Sequence, residues 1–366
     1  MRIRFTGILV LYLAKAISSQ TLQIEREYNT SHYEFNDLEI NLASENYNII
    51  SNNVEIYFES INGKKIFKSS LEQNYFYIAN YQFTNSKNDY PVEVNVFDRD
   101  GLLVFSFKFL APYDLPHYLL SVNDKGVLAL FDPISFKVRL IDKSSDNELE
   151  LEKEVPFEME RAAFIEMNNG FLFILASQNA LDITESKSNV SLYKVSLADL
   201  KIDKKELDYN TPTLLKISGN NIFISGVKFE ELKPIGKTIK YDSELNVLAA
   251  NDKIIEKMSA KGDKLYAKYH NVIYDFDADL AVSNEKKLPE NERILNLEIS
   301  DGKLIVVGTN ELTHSRLYYF LPDLHVDFNA ALDNFGVSKI EDFSISQNHI
   351  MIRHDSKSTK LKTNWN

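Results

Sequence analysis

The sequence has no cysteine, one tryptophan (Trp365), twelve glycines and nine prolines in 366 residues. The missing thiol excludes a cysteine nucleophile, a disulfide, Cys-ligated zinc, an iron–sulfur cluster and a thiolate haem. Basic residues are also short: 41 Lys+Arg stand against 53 Asp+Glu, for a net charge of −12. Counterion release onto a polyanion needs clustered Lys and Arg, so nucleic acid and anionic membrane surfaces are not expected as partners. None of the seven histidines falls in H-x-x-x-H or H-E-x-x-H spacing, and neither a G-x-S-x-G elbow nor a glycine-rich phosphate loop occurs. Zinc-hydrolase, serine-hydrolase and nucleotide-dependent chemistry therefore lack their motifs, and no metal or cofactor is expected. Glycosidase-type carboxylate pairs cannot be assigned, because 53 acids always supply some suitable pair.

What is present begins with an export signal. Arg2 and Arg4 precede the apolar stretch Phe5–Ala14, and polar and small residues (KAISSQ) follow. Ten residues of helix cover about 15 Å, roughly half a bilayer core, so the segment reads as a secretory signal rather than a span. An apolar N-terminal strand is the alternative. Cleavage after Ala16 or Ser19 fits, giving a signal over 1–19 and a single domain over 20–366. Losing 1–19 removes three basic residues and no acid, so −12 becomes −15. No later stretch reaches membrane-spanning length, and the chain is expected to be secreted or otherwise extracytoplasmic: periplasmic, envelope-bound or extracellular.

The remainder repeats one β pattern. Pairs of short strands rich in β-branched and aromatic residues meet at turns near Lys125, Asn169, Asn220, Gly262, Gly302 and Asn348, 40 to 51 residues apart. A second hairpin follows each, marked by an apolar residue, an acid and a turn, as in IKYDSELNVL (239–248) and VIYDFDADLAV (272–282). Two hairpins per unit of about 45 residues make a four-stranded blade. The fold class is therefore all-β: a single β-propeller of four-stranded antiparallel blades. About seven blades are expected and eight are possible, depending on whether residues 38–60 make a unit of their own. The last unit lacks its outermost strand, which TLQIERE (21–27) is placed to supply, closing the ring. A two-domain β protein is the alternative, with no Pro/Gly/Ser linker to divide it.

The chain resembles β-propeller repeat proteins in general, and through turns such as VFDRDGLL (96–103) it is loosely similar to NHL-like and YVTN-like repeats. WD-type Trp-Asp pairs, paired kelch glycines, sialidase Asp boxes and quinoprotein motifs are absent, so the resemblance transfers no site residues. Asp98-Arg99-Asp100-Gly101 starts like a calcium loop but lacks the bidentate Glu; a tight type I′ hairpin is the better reading.

In propellers the segments leading into each innermost strand cluster at the channel mouth. Here they are 113–118, 157–162, 208–213, 251–256, 289–294 and 337–342. Two carry Glu-x-Glu-Arg, at Glu158–Arg161 and Glu290–Arg293, 132 residues apart. In a seven-bladed ring this sets the two arginines nearly opposite. Asp114, His117, Glu160, Arg161, Glu292 and Arg293 are accordingly the candidate ligand-binding residues, with the arginines as bidentate donors to a carboxylate or sugar. Local ion pairs that satisfy blade ends are the competing reading. His349 and His354, with Asp355 adjacent, are the one histidine pair close enough in sequence to consider together. Long between-strand segments at 84–91, 177–190 and 228–237 are further recognition candidates. The function expected is a secreted or envelope propeller acting as a non-catalytic module for a protein or carbohydrate. A propeller hydrolase or lyase acting on a sugar or lactone at the mouth is the alternative. Enzymatic activity, catalytic residues and oligomeric state are not assigned.

Overall fold

The computed structural model describes residues 21–43, 46–51, 54–60, 63–81, 90–111, 119–132, 137–141, 153–156, 161–177, 190–230, 233–261, 264–300, 303–310, 315–337, 340–346 and 349–364. The expected export signal and the lead-in residues Asp114, His117 and Glu160 lie outside them. Of Arg161, only the backbone is described.

The fold is a β-propeller of eight four-stranded antiparallel blades. Each blade runs from its first to its fourth strand in chain order. Blade 1 spans Ser31–Phe35 to Val54–Glu59, blade 2 Lys64–Ser69 to Leu103–Ala111, and blade 3 Leu119–Val122 to Lys153–Pro156. Blade 4 spans Arg161–Met167 to Ile202–Leu207, blade 5 Thr211–Ser218 to Val247–Asn251, and blade 6 Lys257–Lys261 to Val282–Lys287. Blade 7 spans Glu292–Ser300 to Val326–Ala331. Blade 8 takes Ile340–Ser346, His349–His354 and Lys357–Asn364 from the C-terminus, and its fourth strand, Thr21–Tyr28, from the N-terminus. That strand pairs antiparallel from Thr21 opposite Asn364 to Tyr28 opposite Ser358, as TLQIERE suggested. The higher blade count holds because residues 38–60 supply three strands of blade 1 and SHYEF the fourth.

The chain divides into two compact units. Residues 34–288 hold blades 2 to 6 and most of blade 1; residues up to Tyr33, with Pro289 onward, hold blades 7 and 8. Within each unit, successive blades bury alternate strand residues against one another. Tyr77, Val94 and Val96 of blade 2 meet Leu120, Val122 and Leu130 of blade 3. In the second unit, Ile305, Val307 and Tyr319 of blade 7 meet Phe343, Ile350 and Ile352 of blade 8. Between blades 1 and 2 the packing is aromatic. Phe35 lies 4.8 Å from Phe76, which stacks on Phe97 at 5.1 Å.

The turn from third to fourth strand repeats one device. In blades 2, 5 and 6 an aspartate (Asp98, Asp242, Asp277) accepts through Oδ1 from the N–H groups two and four residues on, at 2.8–3.0 Å. The residue three after it is left-handed: Gly101 at φ 82°, Leu245 at 63°, Leu280 at 59°. Leu200 and Leu324, at φ 60°, do the same in blades 4 and 7. A left-handed leucine costs about 1–2 kcal/mol. Burying its side chain, complete for Leu280, returns about 1.5–3 kcal/mol, so the strain persists. The Asp98 turn is thus a type I turn followed by a left-handed residue, not the type I′ hairpin expected. Only Gly101 has positive φ there, where type I′ needs two such residues. Segment 228–237 is likewise no loop: Lys228, Phe229 and Glu230 pair with Ile235, Pro234 and Lys233 to extend a hairpin.

Candidate functional site

The lead-in segments of blades 5 to 8 each place an acid beside a donor from the second or third strand of the same blade. In blade 5, Lys228 Nζ lies 2.9 Å from Asp208 and 3.1 Å from Glu230. These two hydrogen bonds hold its pKa above the ordinary lysine value. In blade 6, the buried Lys268 reaches Glu256 Oε2 at 2.6 Å, and His270 Nδ1 lies 3.6 Å from the other oxygen. Burial alone would raise the Glu256 carboxyl. The hydrogen bond and charge of Lys268, with His270 behind, outweigh it and hold the group below its usual value.

In blade 7, Glu292 accepts from the Tyr318 hydroxyl, with Arg316 Nε 3.8 Å away. Burial and that hydrogen bond push the phenol upward. Its neighbour Arg293 is exposed, and among the described residues its side chain has no hydrogen bond or ion pair. In blade 8, Asp342 takes Nη2 of Arg353 and, at 3.0 Å, the amide of Asn296 from blade 7. Arg353 is 3% exposed, and its guanidinium lies 4.1 Å over the Tyr33 ring. Arg161 opens blade 4 opposite Ser177. The two Glu-x-Glu-Arg segments belong to different compact units.

The donors Lys228, Lys268, Tyr318 and Arg353 escape a reading of the lead-in segments because they stand on later strands. The signal was present: three second strands carry a basic residue one or two positions before their last (GVKF, YAKY, MIRH), and Arg353 is directly opposite its acid, Asp342. The His349/His354 pairing does not form. They cap opposite ends of one strand, His349 against Glu25 at 3.1 Å and His354 against Thr359 at 2.8 Å. Among the described residues no three His, Asp or Glu converge as a metal site.

The opposite ends of the blades, at their first turns, are locked. Asp124 of blade 3 accepts from the Ser70 hydroxyl and from the Glu72 N–H, at 3.1 Å, in blade 2. Asn36 of blade 1 donates to the Gln73 carbonyl of blade 2 at 3.2 Å. Between later blades, strand lysines reach the third-to-fourth turn of the next blade, Lys205 on Leu245 O at 2.7 Å and Lys240 on Ala278 O at 2.9 Å. These contacts hold neighbouring blades together. At the lead-in ends the described acids pair within their own blades, while bonds between blades also occur, from Asn296 to Asp342 and from Thr213, Ser225 and Thr238 of blade 5 to the 251–256 segment.

No known protein family matches the sequence, and no curated protein does. Solved structures similar to it are propellers. Hsv2p of Kluyveromyces lactis aligns with a TM-score of 0.54 at 12% identity, over 83% of this chain and 94% of that one. The β-propeller domain of Cps50 (Swd1) of Myceliophteria thermophila gives 0.50 at 10% identity, over 83% and 97%. At such identities the likeness is one of fold.

Proposed function

We propose that this chain is a secreted or envelope β-propeller that acts as a non-catalytic binding module, taking a protein or carbohydrate ligand at its lead-in face. The observation that carries the reading is the contrast at blade 7. Glu292 is engaged by Tyr318 and Arg316, while the adjacent Arg293 is exposed with its guanidinium unengaged among the described residues. An acid held in a local pair is a poor general base, because the charge it would use already has a partner. A planar, uncommitted guanidinium on a rigid strand end is suited to capture a carboxylate or a sugar hydroxyl pair. Asp114, His117, Glu160 and Arg161, on the lead-ins to blades 3 and 4, are proposed as further ligand-binding residues. Rigid blades presenting variable loops are a common protein-binding platform.

Export is tested by sequencing the N-terminus of the protein recovered from its host. A start at Ile17 or Gln20 supports it, and a chain retaining 1–19 refutes it. Binding is tested with the mature chain on a glycan array and in co-purification. Arg293→Ala should weaken capture of the ligand found by about tenfold or more, the worth of a charge-assisted hydrogen bond, with unchanged melting. Undiminished capture by Arg293→Ala and Arg161→Ala together removes the lead-in face from the proposal. Turnover of a sugar or lactone abolished by Glu256→Gln or Asp342→Asn overturns the non-catalytic reading.

A further inference from the structure

Blade 8 sets three cations, Arg26, Arg353 and Lys360, on one face. Across its four strands Asp342, Arg353, Ser358 and Tyr28 stand opposite one another in a row. The next row on the same face is Ser344, Met351, Lys360 and Arg26, so Lys360 and Arg26 are direct cross-strand neighbours. Like charges in that position repel. Residues 32 and 33, in the same compact unit, lie on this face. The His32 N–H donates to Ser358 Oγ at 2.8 Å, and its ring stacks on Tyr28 at 3.8 Å. Tyr33 receives the Arg353 guanidinium.

Two acids are seen to reach these cations. Glu25, bulged between Ile24 and Arg26, lies 3.1 Å from His349 and 3.6 Å from Lys360. Asp342 takes Nη2 of Arg353. Nη1 of Arg353 is buried and has no hydrogen-bond partner among the described residues, and a buried charged donor left open costs several kcal/mol. The Arg26 guanidinium is exposed and rests 4.9 Å from the Tyr28 ring. His32 is 1% exposed. Burial first, then the charges of Arg26, Lys360 and Arg353, lower its pKa to about 4. The imidazole is therefore neutral at physiological pH, beside three positive groups.

We infer that Arg26, Lys360 and Arg353, arranged about His32 on this face of blade 8, form a binding site for a small oxyanion. An anion there gives Nη1 of Arg353 its missing acceptor and adds to Glu25 in offsetting the adjacent Lys360 and Arg26 charges, while the exposed Arg26 marks the way in. The overall charge of −12 does not oppose this, since a local cluster sets the potential within a Debye length of about 8–10 Å. The site is independent of ligand capture at Arg293 and Arg161.

The test is a titration of the full mature chain with inorganic phosphate, and separately with acetate, at ionic strength held constant with chloride. A saturable rise in the unfolding midpoint with either anion, beyond chloride, is expected. Arg26→Gln and Lys360→Met should weaken that response at least tenfold; Arg353→Lys should do so too where it folds. Arg26 is exposed, so Arg26→Gln keeps the test decisive even if Arg353→Lys does not fold. A response to phosphate but not acetate assigns the site to a tetrahedral anion, and a response to both to oxyanions generally. A response no larger than chloride, or one unchanged in Arg26→Gln and Lys360→Met, overturns the inference.

Discussion

A β-carbon built on Gly101 would stand 2.9 Å from Cγ2 of Ile49, the side chain that blade 1 sets against this turn of blade 2. The equivalent positions in blades 4 to 7 hold leucine, so it is the neighbouring blade, and not the turn, that dictates glycine here. Gly101→Ala meets both the left-handed φ and the Ile49 methyl, and should cost about 1–3 kcal/mol. Leu280→Ala keeps the backbone but empties a fully buried site, and should cost about 2–5 kcal/mol. Denaturant unfolding of the two variants checks both figures, and exchanging glycine for alanine without loss at position 101 would contradict the packing described.

Ring closure rests on the strand Thr21–Tyr28. Leu22 packs into the cluster of Phe343, Ile350 and Leu361, and the strand completes blade 8. Deleting residues 21–28 therefore exposes the edge of Lys357–Asn364 and removes its hydrogen-bonding partner. Amide exchange in Lys357–Asn364 should accelerate by orders of magnitude, with a lower unfolding midpoint. Glu25→Gln, which removes only the pairs to His349 and Lys360, should cost about 0.2–1 kcal/mol. A deletion variant with native exchange in that strand would show that closure lies elsewhere.

Most of this architecture was legible because turns punctuate it. Centres near Lys125, Asn169, Asn220, Gly262, Gly302 and Asn348 all fall between the first and second strands of blades 3 to 8. Blade 1 was harder to count. Its first strand, SHYEF, is five residues long with His32 and Glu34 in it, and Asn36-Asp37 is a turn too short to stand out. The local pairs at the lead-in segments were hidden for another reason. Glu256–Lys268 and Asp342–Arg353 join residues 12 and 11 apart, and only the strand register decides that they face. The oxyanion site is further from reach, since Arg26 and Lys360 lie at opposite ends of the chain.

Lys65, in the first strand of blade 2, should stand out among the lysines in reactivity. Burial lowers its amine to about 8, although the Glu93 charge pulls the other way. At pH 8 about half of it is unprotonated, against well under one percent for an ordinary lysine. Brief acetylation at pH 8, read by mass spectrometry, should modify Lys65 roughly tenfold faster than the exposed Lys108. Glu93→Gln removes the opposing charge, so it should shift the reactivity of Lys65 toward still lower pH. Equal labelling of Lys65 and Lys108 would show that the amine is not depressed.

His32 should set part of the acid limit of the fold. Its imidazole takes up a proton near pH 6.5 in the unfolded chain but only near 4 in the folded one. Between those values the unfolded state binds more protons, so stability falls as pH falls and is retained above about 6.5. The full loss across the window is about 3 kcal/mol, from a shift of roughly 2.5 units at 1.36 kcal/mol each. His32→Phe keeps a flat ring against Tyr28 while removing the titration. The variant should therefore show a smaller decline in unfolding free energy between pH 6.5 and 4 than the parent, whatever its stability at pH 7. Denaturant melts at half-unit pH steps separate the two slopes. Parallel curves would mean that the folded chain protonates His32 as readily as the unfolded one, and that the cationic face around it exerts no field.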